Sequence, residues 1–156
     1  MGKSGVSSYR QGIMSGFLGS YVHQVDEKGR LSLPASFRRG VTEGPLVVVQ
    51  VHESALTLYP EETWREVESR LVELLRRRPE SRHYVLGITA NAVEVVPDKQ
   101  GRILVPQRLL NAIGLTESAL LVGVIDRIEV WDPSRFETAV AERKPEFESF
   151  TAQVFS

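Results

Sequence analysis

One short motif occurs twice in this chain and constrains its fold more than any other feature. Residues 26–34 and 98–106 both read D-x-x-G-R-[LI]-x-[LV]-P, and the second copy begins 72 residues after the first. Four identical residues of ordinary abundance coincide by chance on the order of once in 10⁵ registers. The same offset aligns later apolar residues without a gap: Val48 with Leu120, Val49 with Leu121, Leu56 with Ile128, Leu58 with Val130 and Tyr59 with Trp131. The chain is therefore predicted to be an internal duplication that carries two copies of one special turn.

Composition limits the classes of protein to which the chain can belong. Its 156 residues suffice for one ordinary domain or two very small ones, and its hydrophobic share of 42% is typical of a soluble globular protein. The absence of cysteine excludes disulfides and thiolate chemistry. No apolar run approaches the ~18 residues that a membrane span needs. Residues 1–15 are rich in Gly and Ser, and we predict a disordered extension or a segment left by cloning.

The net charge of −1 argues against a simple polycationic nucleic-acid binder, because neutralisation of phosphates dominates the affinity of such proteins. Any anion-binding role would need a local concentration of positive charge. Residues 28–39 offer one, since this segment contains four cations and no acid: Lys28, Arg30, Arg38 and Arg39.

The pattern of apolar residues predicts two similar units joined by helices. Unit one covers residues 20–62 and unit two residues 91–134, with connecting helices at 63–90 and a C-terminal helix and tail at 135–156. The predicted strands are 21–25, 30–33, 46–51 and 55–59, then 92–96, 102–105, 119–124 and 127–131. The predicted helices are 35–39, 61–78, 80–87, 106–113 and 134–144. Since units of this size cannot bury enough surface alone, we expect them to share one core and close a single barrel.

The turn itself admits two interpretations on residue chemistry alone. Asp26 and Asp98 are suited to bind the backbone amides that follow them, and the glycines tolerate positive φ, so both residue types serve the turn. Turn chemistry does not explain why an arginine directly follows glycine both times. The functional interpretation makes Arg30 and Arg102 contact groups for phosphate or guanine, because the donor fork of arginine is planar and rigid.

No enzyme motif is present, and we predict neither catalytic residues, nor a metal site, nor a cofactor. The three histidines are scattered, and His52-Glu53 does not continue as H-E-x-x-H because Leu56 occupies the fourth following position. The tail offers apolar residues at near-helical spacing: Phe147, Phe150, Val154 and Phe155. The tail is either a frayed end or a docking segment for a neighbouring subunit, and exposed phenylalanines would be unusual on a monomer.

Several segments together resemble the MraZ family of bacterial transcriptional regulators, which are built from two SpoVT-AbrB-type repeats. These segments are G-F-L-G-S at residues 16–20, the paired turns, L-T-L-Y-P at 56–60 and E-V-W-D at 129–132. The resemblance covers about residues 17–143. It implies an α+β fold, an internally duplicated swapped-hairpin β-barrel of the AbrB-like, double-split kind, with a pseudo-dimer of repeats and flanking helices.

The resemblance also implies a function. It implies a cytoplasmic, nucleoid-associated protein that forms a ring-shaped homo-oligomer. Its partner would be double-stranded DNA, namely short direct repeats upstream of its own operon in the cell-division and cell-wall gene cluster. The family places DNA contact at the D-x-x-x-R positions, which here are Asp26, Arg30, Asp98 and Arg102.

Combining residue chemistry with this resemblance, we predict that DNA is contacted by four cations: Arg30, Lys28, Arg102 and Arg38. Four other residues are predicted to orient the loops: Asp26, Gly29, Asp98 and Gly101. Because Lys28 is replaced by Gln100 in the second loop, we expect the first loop to be more basic and to matter more. The alternative function is an antitoxin-like or other protein-interaction barrel that does not bind DNA.

Overall fold

The computed structural model describes residues 16–41 and 44–156, which form an α+β fold as predicted. Its strands are β1 Ser20–Gln24, β2 Arg30–Ser32, β3 Leu46–His52, β4 Ala55–Pro60, β5 Val93–Val95, β6 Arg102–Leu104, β7 Ser118–Gly123 and β8 Ile128–Trp131. Its helices are α1 Ala35–Arg38, α2 Glu61–Arg77, α3 Arg82–Asn91, α4 Gln107–Ala112, α5 Pro133–Ala141 and α6 Phe147–Phe155. The prediction of disorder for residues 1–15 lies outside the described residues.

The strands of the two repeats are exchanged. The main sheet is antiparallel with the order β1-β7-β8-β4-β3-β5, so the first strand of each repeat pairs with the third strand of the other. The fourth strands, β4 and β8, pair with each other, and so do the second strands, β2 and β6. This main sheet is open and ends at β1 and β5, so the closed swapped-hairpin barrel stays a prediction.

One core lies between the main sheet and the β2–β6 ribbon and draws on both repeats. Leu31 of β2 and Ile103 of β6 are fully buried in it, together with Leu58 of β4 and Val130 of β8. Burial of these side chains is the main favourable term in holding the ribbon against the sheet. Neither repeat completes this core alone, which confirms that the units share it.

The 72-residue offset is wrong within β3. Val48 pairs with Leu58 and belongs to the shared core, whereas its counterpart in that core is Leu121, which pairs with Val130. Since Leu58 and Val130 are equivalent, Val48 corresponds to Leu121 and not to Leu120. The cause is a bulge between Val49 and His52, where the pairing of β3 with β4 shifts by one residue.

Helices α2 and α3 cover the opposite side of β3 and β4. Val47, Val49 and Tyr59 form a second buried cluster there, with Trp64 and Ile88 packed against it. The covering of both sides explains why β3 is apolar at consecutive positions instead of alternating. Helix α2 matches its predicted extent to within one residue. Helix α3 extends further than predicted, to Asn91, and follows a 3₁₀ turn at Pro79–Ser81.

The fourth strand of each repeat ends in the same aromatic arrangement. The ring centroids of Tyr59 and Trp64 are 5.6 Å apart, and those of Trp131 and Phe136 are 5.5 Å apart. Both pairs are related by the repeat offset, which confirms the predicted equivalence of Tyr59 and Trp131. Each pair packs the helix that follows onto its own strand, which sets the position of α2 and α5.

The tail forms helix α6, as its apolar spacing predicts. Phe150 is 53% exposed and Phe155 is 83% exposed, so this helix carries an uncovered aromatic surface. Among the helices of residues 16–41 and 44–156, none is both long and apolar enough to cross a membrane.

Candidate nucleic-acid interface

The first turn is built around the carboxylate of Asp26. Its Oδ1 accepts hydrogen bonds from the backbone N–H groups of Lys28 at 2.9 Å and Arg30 at 2.8 Å. Its Oδ2 accepts a hydrogen bond from Nε of Arg30 at 2.6 Å. Gly29, at φ +86°, closes the turn with a backbone hydrogen bond to the carbonyl of Asp26. The carboxylate therefore holds both the loop backbone and the guanidinium that follows it.

The second turn repeats this geometry residue by residue. Oδ1 of Asp98 accepts from the backbone N–H groups of Gln100 and Arg102, each at 2.9 Å, and Oδ2 accepts from Nε of Arg102 at 2.9 Å. Gly101 has φ +78°. Two arginines are thus fixed in equivalent orientations by one sequence motif.

The hydrogen bonds of the turns also set the charge state of the aspartates. Donation by the backbone N–H of Arg30 is the largest effect lowering the pKa of Asp26, and the N–H of Arg102 does the same for Asp98. Both carboxylates are therefore ionised at neutral pH. The guanidinium groups use Nε for this pairing, while within the described residues their terminal Nη atoms make no hydrogen bond. These side chains are about one-third exposed, at 35% and 31%, so both arginines are partly accessible to solvent.

The two turns are joined to each other across the repeats. The backbone N–H of Val105 donates to the carbonyl of Gly29 at 3.0 Å, and the N–H of Leu33 donates to the carbonyl of Gly101 at 2.9 Å. A Cβ added to Gly29 would lie 2.7 Å from the carbonyl oxygen of Val105, closer than atoms of these types approach. Glycine is thus required at this position by both its positive φ and this contact.

The pairing of β2 with β6 defines one exposed face. Arg30 lies opposite Leu104, and Ser32 lies opposite Arg102, with the buried pair Leu31 and Ile103 between them. Cross-strand partners and alternate residues of an antiparallel ribbon point to the same side. The outer side of the ribbon therefore presents four residues, which we call the ribbon face: Arg30, Ser32, Arg102 and Leu104.

Arg38, which belongs to the same basic segment as Arg30 in the sequence, lies at the second turn. Its Nε donates to the carbonyl of Leu33 at 2.9 Å, and its guanidinium packs over Gly101. It lines a small cavity there together with Asp98 and Lys99. The equivalent position in repeat two is Leu110, which is buried, so the first turn receives no matching arginine.

The local charge is therefore opposite to the expectation that the first turn is more basic. Residues 26–30 contain two acids and two bases, for a formal charge of zero, whereas residues 98–102 contain one acid and two bases, for +1. The expectation compared Lys28 with Gln100 and overlooked Glu27, whose equivalent is Lys99. Arg38 adds a further positive charge at the second turn.

The sequence interpretation missed three residues of the turns and the ribbon face. Lys99 was visible in the aligned motifs. Ser32 and Leu104 carry no signal of their own, because their exposure on the ribbon face follows from the β2–β6 register. The DNA contacts assigned to the cations stay predictions.

Comparisons of the chain with a family model and with individual proteins indicate the same family. The family model described as MraZ protein, antitoxin-like, matches residues 17–85 and again residues 88–155. A transcriptional regulator MraZ of Herpetosiphon aurantiacus is 40% identical over 80% of this chain and 86% of its own length. Proteins of the same name from Pediococcus pentosaceus and Acetivibrio thermocellus are each 36% identical, over 85% and 88% of this chain and 92% and 96% of theirs. With two matches to one family model and relatives aligned over nearly their full length, this chain belongs to the MraZ family.

Proposed function

We propose that this chain is a transcriptional regulator that binds double-stranded DNA in a sequence-specific manner through the ribbon face. The observation that carries the proposal is the pair of aspartate-anchored arginines, Arg30 and Arg102, on a two-stranded antiparallel ribbon. The major groove of B-DNA admits such a ribbon, and arginine is the commonest specific partner of guanine there. The names of the relatives, all transcriptional regulators, support the same function.

The structural roles within this proposal follow from the hydrogen bonds. Arg30 and Arg102 use Nε for the aspartates, which leaves the Nη edges for a base or a phosphate. Asp26 and Asp98 orient the arginines rather than touch DNA, because a carboxylate next to phosphate is repulsive. Lys28, Lys99 and Arg38 would supply phosphate contacts around the ribbon face, because these cations lie in or beside the two turns.

A near-neutral chain can bind DNA if its positive surface is repeated. We propose that the chain forms a ring-shaped homo-oligomer, that its exchanged strands close the swapped-hairpin barrel, and that it acts at the nucleoid in the cytoplasm. Several subunits would then bind short direct repeats upstream of their own operon in the cell-division and cell-wall cluster, each contact raising the effective concentration of the next. The exposed aromatic side of α6, with Phe150 and Phe155, supports association between subunits.

The test measures the affinity for DNA from upstream of the gene at several salt concentrations. It compares the unaltered protein with Arg30→Ala, Arg102→Ala and the double variant. The slope of log K against log salt is negative, and each lost phosphate contact should make it shallower by about 0.9. Arg76→Ala is the matched control, because Arg76 is also paired with an acid but lies on α2, across the main sheet from the ribbon. That control should bind as the unaltered protein does.

Two results would contradict the proposal. One is unchanged affinity and slope in the double variant. The other is failure of the unaltered protein to shift this DNA at all, which would favour the protein-interaction function suggested by the antitoxin-like description of the family.

A further inference from the structure

The two halves of the ribbon face differ at one equivalent position. Ser32 of β2 corresponds to Leu104 of β6 by the repeat offset, and both lie on the outer side of the ribbon. Leu104 is 57% exposed although its strand neighbour Ile103 is fully buried. The half that contains Arg30 thus presents a large apolar side chain, and the half that contains Arg102 presents a hydroxyl.

The surroundings increase this difference. The Cδ1 of Leu104 lies 3.9 Å from the position of a Cβ on Gly29, so the leucine leans against the first turn. Over Gly101, in the second turn, lies the guanidinium of Arg38. One turn is consequently flanked by an apolar group and the other by a cation.

The chemistry of base edges indicates what an apolar group beside an arginine can recognise. In the major groove, the C5 methyl of thymine is the apolar group that distinguishes one base pair from the others. A serine hydroxyl, by contrast, can donate to or accept from several bases and discriminates weakly. Leu104 opposite Arg30 therefore fits a thymine next to the base or phosphate that Arg30 contacts.

We infer that Leu104 reads a thymine methyl group at the half of the ribbon face that contains Arg30, and that this contact gives the bound protein a direction on DNA. The inference rests on the proposed function. A ribbon with identical halves would present the same groups in either orientation, because its strands are related by a pseudo-two-fold axis through the pair Leu31–Ile103. The difference between Leu104 and Ser32 removes this equivalence and favours a non-palindromic site.

The experiment replaces single thymines by deoxyuridine, which removes only the methyl group, in a duplex whose bound repeats have been mapped by footprinting upstream of the gene. The unaltered protein should lose about fourfold in affinity at one thymine of each bound repeat, as expected for one buried methyl group. Leu104→Ala should bind the thymine and deoxyuridine duplexes equally. Leu86→Ala, an exposed leucine on α3, should keep the fourfold difference.

A second variant tests the direction of binding through a gain of preference. Ser32→Leu adds an apolar side chain to the half of the ribbon face that contains Arg102. This variant should therefore gain a preference for thymine over deoxyuridine at the pseudo-symmetric position of the DNA. The inference is overturned if no thymine replacement affects the unaltered protein, or if Leu104→Ala keeps the same loss; in both cases DNA binding itself would stand. Absence of binding to any upstream duplex would overturn the proposed function together with the inference.

Discussion

Alanine substitutions at the two turn glycines should differ in how they depend on Arg38. Gly29 and Gly101 both have positive φ, which costs alanine about 1–2 kcal/mol. At Gly29 the obstacle to a Cβ is the backbone carbonyl of Val105. Shifting Val105 weakens the hydrogen bond from its N–H to the carbonyl of Gly29, which is worth about 0.5–1.5 kcal/mol. The free energy of unfolding should therefore fall by about 2–3 kcal/mol in Gly29→Ala.

At Gly101 the obstacle is a side chain that can move. A Cβ there meets the guanidinium of Arg38, which must give up its hydrogen bond to the carbonyl of Leu33. The loss in Gly101→Ala should again be about 2–3 kcal/mol, but in an Arg38→Ala background it should drop to the backbone term of about 1–2 kcal/mol. The loss in Gly29→Ala should be the same in both backgrounds, since Arg38 does not contact Gly29.

Two double-mutant cycles measure these couplings by denaturant or thermal unfolding at one fixed protein concentration, because association changes apparent stability. Arg38→Ala and Gly101→Ala should couple by about 1 kcal/mol, equivalent to about 2–4 °C in Tm for a chain of this size. Gly87→Ala on α3, where nothing lies within 4 Å of the new Cβ, is the control and should stabilise the protein by about 0.5–1 kcal/mol. Equal coupling of Arg38 to both glycines would refute the assignment of Arg38 to the second turn.

Two further predictions concern carboxylates. Hydrogen bonds from the backbone N–H groups of Arg30 and Arg102 lower the pKa of Asp26 and Asp98 in the folded protein. The stability that the two ionised carboxylates contribute is therefore present above their ordinary pKa of 3.8, and it is lost as pH falls through their lower pKa in the folded state. The variant with both aspartates changed to Asn should have a lower Tm at neutral pH, and the difference should narrow below about pH 4; parallel Tm curves would argue against it. Asp132→Ala removes the N-cap of α5, so the free energy of unfolding measured in urea should fall by about 0.5–2 kcal/mol. An unchanged free energy of unfolding would contradict the capping role of Asp132.

Local features of this fold were predictable because local chemistry determines them. The D-x-x-G-R turns follow from an aspartate that binds nearby amides and a glycine at positive φ, and α2 follows from its apolar spacing. The pairing of β1 with β7 has no such local signal, because the two strands lie more than one repeat apart in the chain. The register of β3 was unpredictable for another reason: with both its sides buried, Val47 to Val49 show no alternation that would reveal the bulge.

In the candidate site, too, the residues set by local chemistry were predictable and those placed by contacts between distant segments were not. Arg30 and Arg102 were identified because turn chemistry alone leaves them unexplained. The position of Arg38 depends on how α1 packs across the repeat boundary, which no residue pattern encodes. The exposure of Leu104 depends on which residue of β2 lies opposite it. Prediction from sequence thus recovered the anchored groups and not the groups brought to them by tertiary structure.

The exchange of strands has a consequence for the order in which the protein is made. The partner of β1, which begins at Ser20, is β7, which begins at Ser118. At ordinary rates of translation the ribosome needs about 5–20 s to synthesise the 98 residues between these two starting points. During that time β1 remains without its partner, open to chaperones or to a neighbouring nascent chain, and the outer edge of β3 does so until β5 has been made.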